Sequence, residues 1–181
     1  MAHIGELKFT TAGEVMKPEV AILMGSKSDW DLMKKGADVL TEFGVPYHME
    51  ILSAHRTPKR AVEFAENALA EGYSVVIAGA GAAAHLAGVI AASTVLPVIG
   101  VPINATPLNG MDSLMSVVQM PSGIPVASVG VDASVNAALL ALQIIGTSDT
   151  AIQTKLLEYK ESMVKKIEIA NSQVDNGTRP N

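Results

Sequence analysis

The chain has 181 residues, a net charge of −5 and no cysteine. That length is enough for one domain with a sizeable core. The acidic balance excludes nonspecific nucleic-acid binding through a basic surface. The lack of cysteine excludes disulfides, thiolate metal sites and cysteine nucleophiles, and it fits a reducing compartment. Taken in chain order, residues 1–17 lack periodicity and read as a flexible extension. Met1 to Glu6 has no basic segment before an apolar core, so no signal peptide is expected and the location is predicted to be cytoplasmic. Glu19 to Met24 reads as a short buried strand and Gly25 to Asp29 as a turn. A helix is predicted from Asp29 to Phe43, with Leu32, Met33, Ala37 and Leu40 at helical spacing and Gly44 as its stop. Val45 to Leu52 is a second strand. Pro58 to Ala70 is a helix with proline in its first turn and Gly72 after its end.

Ser74 to Ala78 is the third strand, Gly79-Ala80-Gly81 a glycine loop, and Ala83 to Ser93 a helix. Pro97 to Val101 is the fourth strand, followed by a loop and a short helix over Ser113 to Met120. Pro125 to Val129 is the fifth strand, and Ala133 to Ile145 a helix ended by Gly146. Ala151 to Ala170 is an amphipathic helix whose stripe is Ile152, Leu156, Tyr159, Met163 and Ile167, placed either on its own domain or on a neighbour. Residues 171–181 read as a disordered tail. The fold class is therefore α/β: a three-layer α/β/α domain over residues 18–170, with a doubly wound, flavodoxin-like, five-stranded parallel sheet and an extra C-terminal helix at 151–170.

The charge distribution adds an expectation about assembly. No Lys or Arg lies between Arg60 and Lys155, and no charge of either sign between Glu71 and Asp112. A membrane span does not account for this, because Gly79, Gly81, Gly88, Pro97, Gly100 and Pro102 interrupt the run. Burial against copies of the same chain accounts for it better, so a homo-oligomer is expected.

Three strand-to-helix junctions carry unusual residues, at the place where open α/β sheets bind ligands. In Gly25-Ser26-Lys27-Ser28-Asp29 the hydroxyls suit a phosphate and Asp29 suits ribose hydroxyls. The same residues also suit a helix cap. Ser53-Ala54-His55-Arg56-Thr57-Pro58 sets a proton-transfer group beside a phosphate-matching guanidinium. Equally, Ser53 or Thr57 can cap a helix, with His55 and Arg56 on an exposed turn. The third, Ala78 to Gly88, has almost no side chains, so a ligand can approach its backbone. Close helix–strand packing is the other use of those glycines. His85 is predicted within the following helix, as a packed residue more than a catalytic one. The four histidines show no metal-ligand pattern.

Gly-Ser-x-Ser-Asp, Ser-Ala-His-Arg-Thr-Pro and Ala-Gly-Ala-Gly-x-Ala-Ala-His-Leu, in this order, resemble the class I PurE proteins, the N5-carboxyaminoimidazole ribonucleotide mutases of purine biosynthesis. Asp112-Ser113-Leu114, Val118 to Val126 and Asn136 to Ala141 extend the resemblance over about residues 19–146. It implies a homo-octamer with sites where subunits meet, a small-molecule substrate (an aminoimidazole ribonucleotide), and no metal, ATP or organic cofactor. It implies that Ser26, Asp29 and Arg56 bind nucleotide, that Ser28, Ser53, Ala54, Gly79, Ala80 and Gly81 line the site, and that His55 is the general acid and base. Two positions depart from the family pattern: Ala82 stands where Gly is usual and Ala87 where Pro is usual. A positive φ at position 82 would strain alanine by on the order of 1 kcal/mol. The related class II proteins carboxylate aminoimidazole ribonucleotide directly, but they typically carry His-Lys-Gly-Pro at the second junction and lack the Ala-Gly-Ala-Gly loop. A non-catalytic module holding a ribonucleotide or FMN would not need His55.

Overall fold

The computed structural model describes residues 19–174, so the predicted extension over 1–17 lies outside the described residues. Its elements are β1 (Val20–Met24), α1 (Trp30–Phe43), β2 (Tyr47–Ile51), α2 (Pro58–Glu71), β3 (Val75–Gly81), α3 (Leu86–Ser93), β4 (Val98–Ile103), α4 (Met111–Val118), β5 (Ala127–Ser128), α5 (Ser134–Gly146) and α6 (Thr150–Ser172). The five strands are parallel in the order β2-β1-β3-β4-β5. This is the flavodoxin-like doubly wound order, which reverses direction between β1 and β3.

Alternate side chains of each strand leave on opposite faces, so a run of apolar residues feeds two cores. Val20, Ile22 and Met24 of β1 join Val75 and Ile77 of β3 in a core closed by α1, α5 and α6. Ala21 and Leu23 join Val76, Ala78 and Ala80 in a core closed by α2 and α3. Small residues set how near the layers come. Gly36 of α1 lies against the backbone of Ser134, whose hydroxyl donates to the Leu32 carbonyl at 2.6 Å. Each fully buried leucine or isoleucine in these layers, such as Leu142 or Ile90, contributes about 1.5–3 kcal/mol of transfer free energy. Gly44 and Gly72 end α1 and α2 in left-handed conformations, with φ of 76° and 97°, and their N–H groups close the last turns.

Several element boundaries differ from the sequence reading. β3 runs on through Gly79, Ala80 and Gly81, which pair with Val101, Pro102 and Ile103 of β4. The expected glycine loop is therefore the last part of a central strand. β5 shrinks to two residues, and Gly146 lies inside α5. α6 continues to Ser172, two residues into the expected tail; residues 175–181 lie outside the described residues. Asp149 caps α6 by accepting from the Ala151 and Ile152 N–H groups, at 2.8 and 3.1 Å. Among the described residues, only the first half of its stripe packs on this domain. Ile152 is buried, Leu156 and Tyr159 pack on the α1–α5 core, and Lys155 donates to the Phe43 carbonyl at 2.6 Å. Met163 and Ile167 are exposed. No helix among the described residues is long and apolar enough to cross a membrane.

Candidate active site

The three junctions meet at the carboxyl ends of β1, β2 and β3, where strand order reverses. Two backbone bonds bring them together: the Gly25 N–H donates to the Gly79 carbonyl at 3.0 Å, and the Leu52 N–H to the Met24 carbonyl at 2.9 Å. Around them opens a cleft of about 320 Å³. The first junction supplies Gly25, Ser26, Ser28 and Asp29; the second Ser53, Ala54, His55 and Arg56; the third Ala80 to Ala83, His85 and Leu86. Ala105, from the segment after β4, closes the far wall.

Ser26 and Asp29 form a reciprocal cap on the single 3-10 turn Lys27–Asp29. The Ser26 hydroxyl accepts from the Ser28 N–H at 3.3 Å, and Asp29 Oδ2 accepts from the Ser26 N–H at 3.0 Å. Ser28 donates its hydroxyl to Asp29 Oδ1 at 3.1 Å. The capping and cleft-lining readings of this junction therefore hold together, because one short turn aims its cap into the cleft. Asp29 is only 5% exposed. Burial pushes its carboxyl above its ordinary range, and hydrogen bonds from Ser28 and Ser26 and the nearby Arg56 charge oppose that rise without cancelling it.

The second junction does not cap α2 with a side chain. Instead its hydroxyls close the loop on itself. The Thr57 hydroxyl accepts from the Ser53 N–H at 3.0 Å and donates to the Ser53 carbonyl at 3.1 Å. Ser53 Oγ accepts from the Arg56 N–H and Nε–H, at 3.2 and 3.3 Å. Arg56 also donates from its terminal nitrogen to the Gly25 carbonyl at 2.6 Å, tying this loop to the first junction. Among the described residues Arg56 is the only lysine or arginine in the cleft wall.

The third junction is where structure and sequence reading differ most. Gly79 does not line the cleft; it sits deeper, against Met33 and Ile103. Gly81 does line it, and a Cβ there would lie 2.5 Å from that of Ala105. Ala82 has a φ of 55°, so the strained conformation anticipated for alanine is present. Its backbone then turns tightly, with the Ala84 N–H donating to the Ala82 carbonyl at 2.9 Å and the His85 N–H to the Ala83 carbonyl at 2.8 Å. These turns delay the helix, so His85 precedes α3 instead of lying within it. Its ring stands edge-on to that of His55, centroids 4.9 Å apart, with His55 Nε2 and His85 Nδ1 separated by 2.7 Å. By sequence His85 reads as a packed residue inside the helix; its closeness to the third strand-to-helix junction is the signal that points to the cleft. Ala105 carried no signal at all.

A second concavity lies at the sheet edge between β2 and α2, where Glu50 pairs with Arg60 and His48 beside Phe64 and Tyr73. It shares no residue with the cleft at the strand ends. Among the described residues no group of three or more His, Cys, Asp or Glu could hold a metal ion.

The family model described as AIR carboxylase matches residues 19–166. An N5-carboxyaminoimidazole ribonucleotide mutase of Pyrococcus horikoshii is 59% identical over 152 residues, covering 84% of this chain and 86% of that protein. The protein of the same name from Escherichia coli is 49% identical over 150 residues, covering 82% and 89%. The crystal structure of Treponema denticola PurE superposes with a TM-score of 0.80 at 33% identity, covering 88% of this chain and 99% of that one. The matched span holds all five strands and every junction of the cleft, and the chain belongs to the AIR carboxylase family.

Proposed function

We propose that this chain is an N5-carboxyaminoimidazole ribonucleotide mutase of purine biosynthesis, and that the cleft at the β1–β3 switch point is its active site. The high identity to proteins of that name over more than four fifths of the chain carries the activity. The convergence of His55, Arg56, Ser26 and Asp29 on one cleft carries the site. Arg56, with the Ser26 and Ser28 hydroxyls, holds the ribonucleotide, and Asp29 accepts from its sugar hydroxyls once substrate loosens the cap. Ser53, Ala54, Ala80 and Gly81 form the wall against which the imidazole and its carboxylate lie.

The chemistry needs one proton twice. The N–C bond of the carbamate breaks, CO2 departs, and the exocyclic nitrogen takes a proton from His55. C4 of the electron-rich ring attacks the trapped CO2, and the C4 proton then returns to His55. One imidazole near neutral pH suits both transfers. Backbone N–H groups of the turn over 81–84 stabilise the carboxylate, and a closed cleft keeps CO2 from water.

The test offers the purified protein either the N-carboxy ribonucleotide or aminoimidazole ribonucleotide with bicarbonate. Turnover of the first supports the mutase reading. Turnover of the second alone replaces it with direct carboxylation, the activity in the family's description. Turnover of neither leaves a binding module. A His55→Asn variant that keeps its fold loses roughly 10²–10⁴-fold in turnover; near-normal turnover would remove His55 from the mechanism.

For the assembly, we read a homo-octamer from the resemblance. In its support, the stretch without charge exposes Val95 (84%), Leu108 and Met111, and α4 just beyond it exposes Met115 and Val118. Light scattering giving a monomer mass would exclude it.

A further inference from the structure

The His55–His85 contact constrains where the working proton sits. Two ring nitrogens 2.7 Å apart share one hydrogen: two N–H groups would repel, and two bare lone pairs would not approach so closely. Among the described residues, no other side chain or backbone group hydrogen-bonds to either ring. The charged groups sharing the cleft are Asp29, held by its own cap, and Arg56, held by Gly25 and Ser53. The orientation of the shared hydrogen is therefore set between the two rings.

We propose that His85 is a positioning residue for His55: its Nδ1 accepts the His55 Nε2–H and holds His55 in the tautomer whose Nδ1 performs both proton transfers. The choice of donor rests on the mutase reading, but the tautomer itself is measured without turnover. The opposite orientation fails on chemistry. If His85 donated, neutral His55 would carry its hydrogen on Nδ1 and commit Nε2 to His85, leaving no lone pair for the C4 proton. In the proposed orientation the cycle closes. Cationic His55 keeps Nε2–H on His85 and gives its Nδ1 proton to the exocyclic nitrogen, which retains the electron pair of the broken N–C bond. Neutral His55 then offers the Nδ1 lone pair. After C4 bonds to CO2, the C4–H electrons return to the ring and the proton returns to Nδ1. The contact with His85 is unchanged throughout, so neither transfer waits for a ring flip.

Asparagine carries an amide oxygen near the position of histidine Nδ1, so His85→Asn retains an acceptor, whereas His85→Ala does not. The tautomer is read by ¹⁵N NMR of the imidazoles in the unliganded protein, above the titration range. Wild type and His85→Asn are expected to show His55 with a protonated Nε2 and a bare Nδ1, and His85→Ala to show both nitrogens shifted toward averaged values. With the N-carboxy ribonucleotide, His85→Ala is expected to lose roughly 10–100-fold in kcat at little change in KM, and His85→Asn to recover most of it. A wild-type His55 protonated on Nδ1, an unchanged His55 spectrum in His85→Ala, or equal kcat for the Ala and Asn variants would each overturn the proposal. Wild type showing no turnover but the expected tautomer would instead overturn the mutase reading alone.

Discussion

The Arg56 guanidinium donates to the Gly25 carbonyl across the mouth of the cleft, at 2.6 Å, and so fastens the loop after β2 to the end of β1. Two sequence motifs separated by 31 positions become one wall. The guanidinium is thus both a brace and the positive charge available to a phosphorylated ligand. Arg56→Gln removes the charge while keeping some hydrogen-bonding reach. Losing a charged hydrogen bond of about 1.5–3 kcal/mol corresponds to roughly a 10–100-fold rise in KM. Steady-state kinetics at two ionic strengths checks this. The wild-type KM rises with salt and the variant's does so less.

Ala82 holds a φ of 55°, which glycine adopts without a Cβ penalty. Ala82→Gly relieves about 1–2 kcal/mol of strain but adds freedom to the unfolded chain worth about 0.4–1 kcal/mol. The expected outcome is a net gain of about 0.5–1 kcal/mol, seen as a higher urea midpoint at unchanged slope.

Gly36 sets the distance between α1 and α5. An added Cβ would lie 2.7 Å from the backbone oxygen of Ser134, an atom that cannot rotate away. Gly36→Ala is expected to cost about 1–3 kcal/mol, because the two helices must part. Gly88→Ala is the control: its Cβ would meet only the flexible end of Met120, at 3.2 and 3.3 Å. The prediction fails if thermal denaturation finds Gly88→Ala the more destabilised of the two.

Tyr73 sits between Phe64 and the Glu50 and Glu71 carboxylates, and its hydroxyl is pushed up to about 12, chiefly by burial and then by Glu71 and Glu50. Because the folded value lies above the unfolded 10.0, the stability it contributes is fully present below pH 10.0 and is lost as pH rises through about 12. An ultraviolet titration of the native protein is expected to show one tyrosine ionising well after an ordinary one. Tyr73→Phe should remove that late step and flatten the alkaline loss of stability.

Much of this was legible in the chain. Pro58 at the start of α2 and Gly44 and Gly72 at helix ends act through backbone preferences that neighbours do not alter, so their positions marked the boundaries. The apolar stripe of α1 likewise reported its buried face. Gly79-Ala80-Gly81 read as a loop because glycine and alanine have little strand preference. What makes those residues a strand is pairing with Val101, Pro102 and Ile103, more than twenty positions away. The second half of α6 shows the reverse case: its stripe is plain in the sequence, but among the described residues nothing buries Met163 or Ile167.

The sequence by itself determined the α/β alternation, the three junctions and the adjacency of His55 and Arg56, because each is written in local periodicity or adjacent residues. Only the tertiary structure decided that His85 faces His55, that Gly79 packs beneath the cleft while Gly81 lines it, and that Ala105 closes the wall. Those relationships depend on strand order and on the strained turn at Ala82, which act between residues far apart in the chain and leave no local periodic signal.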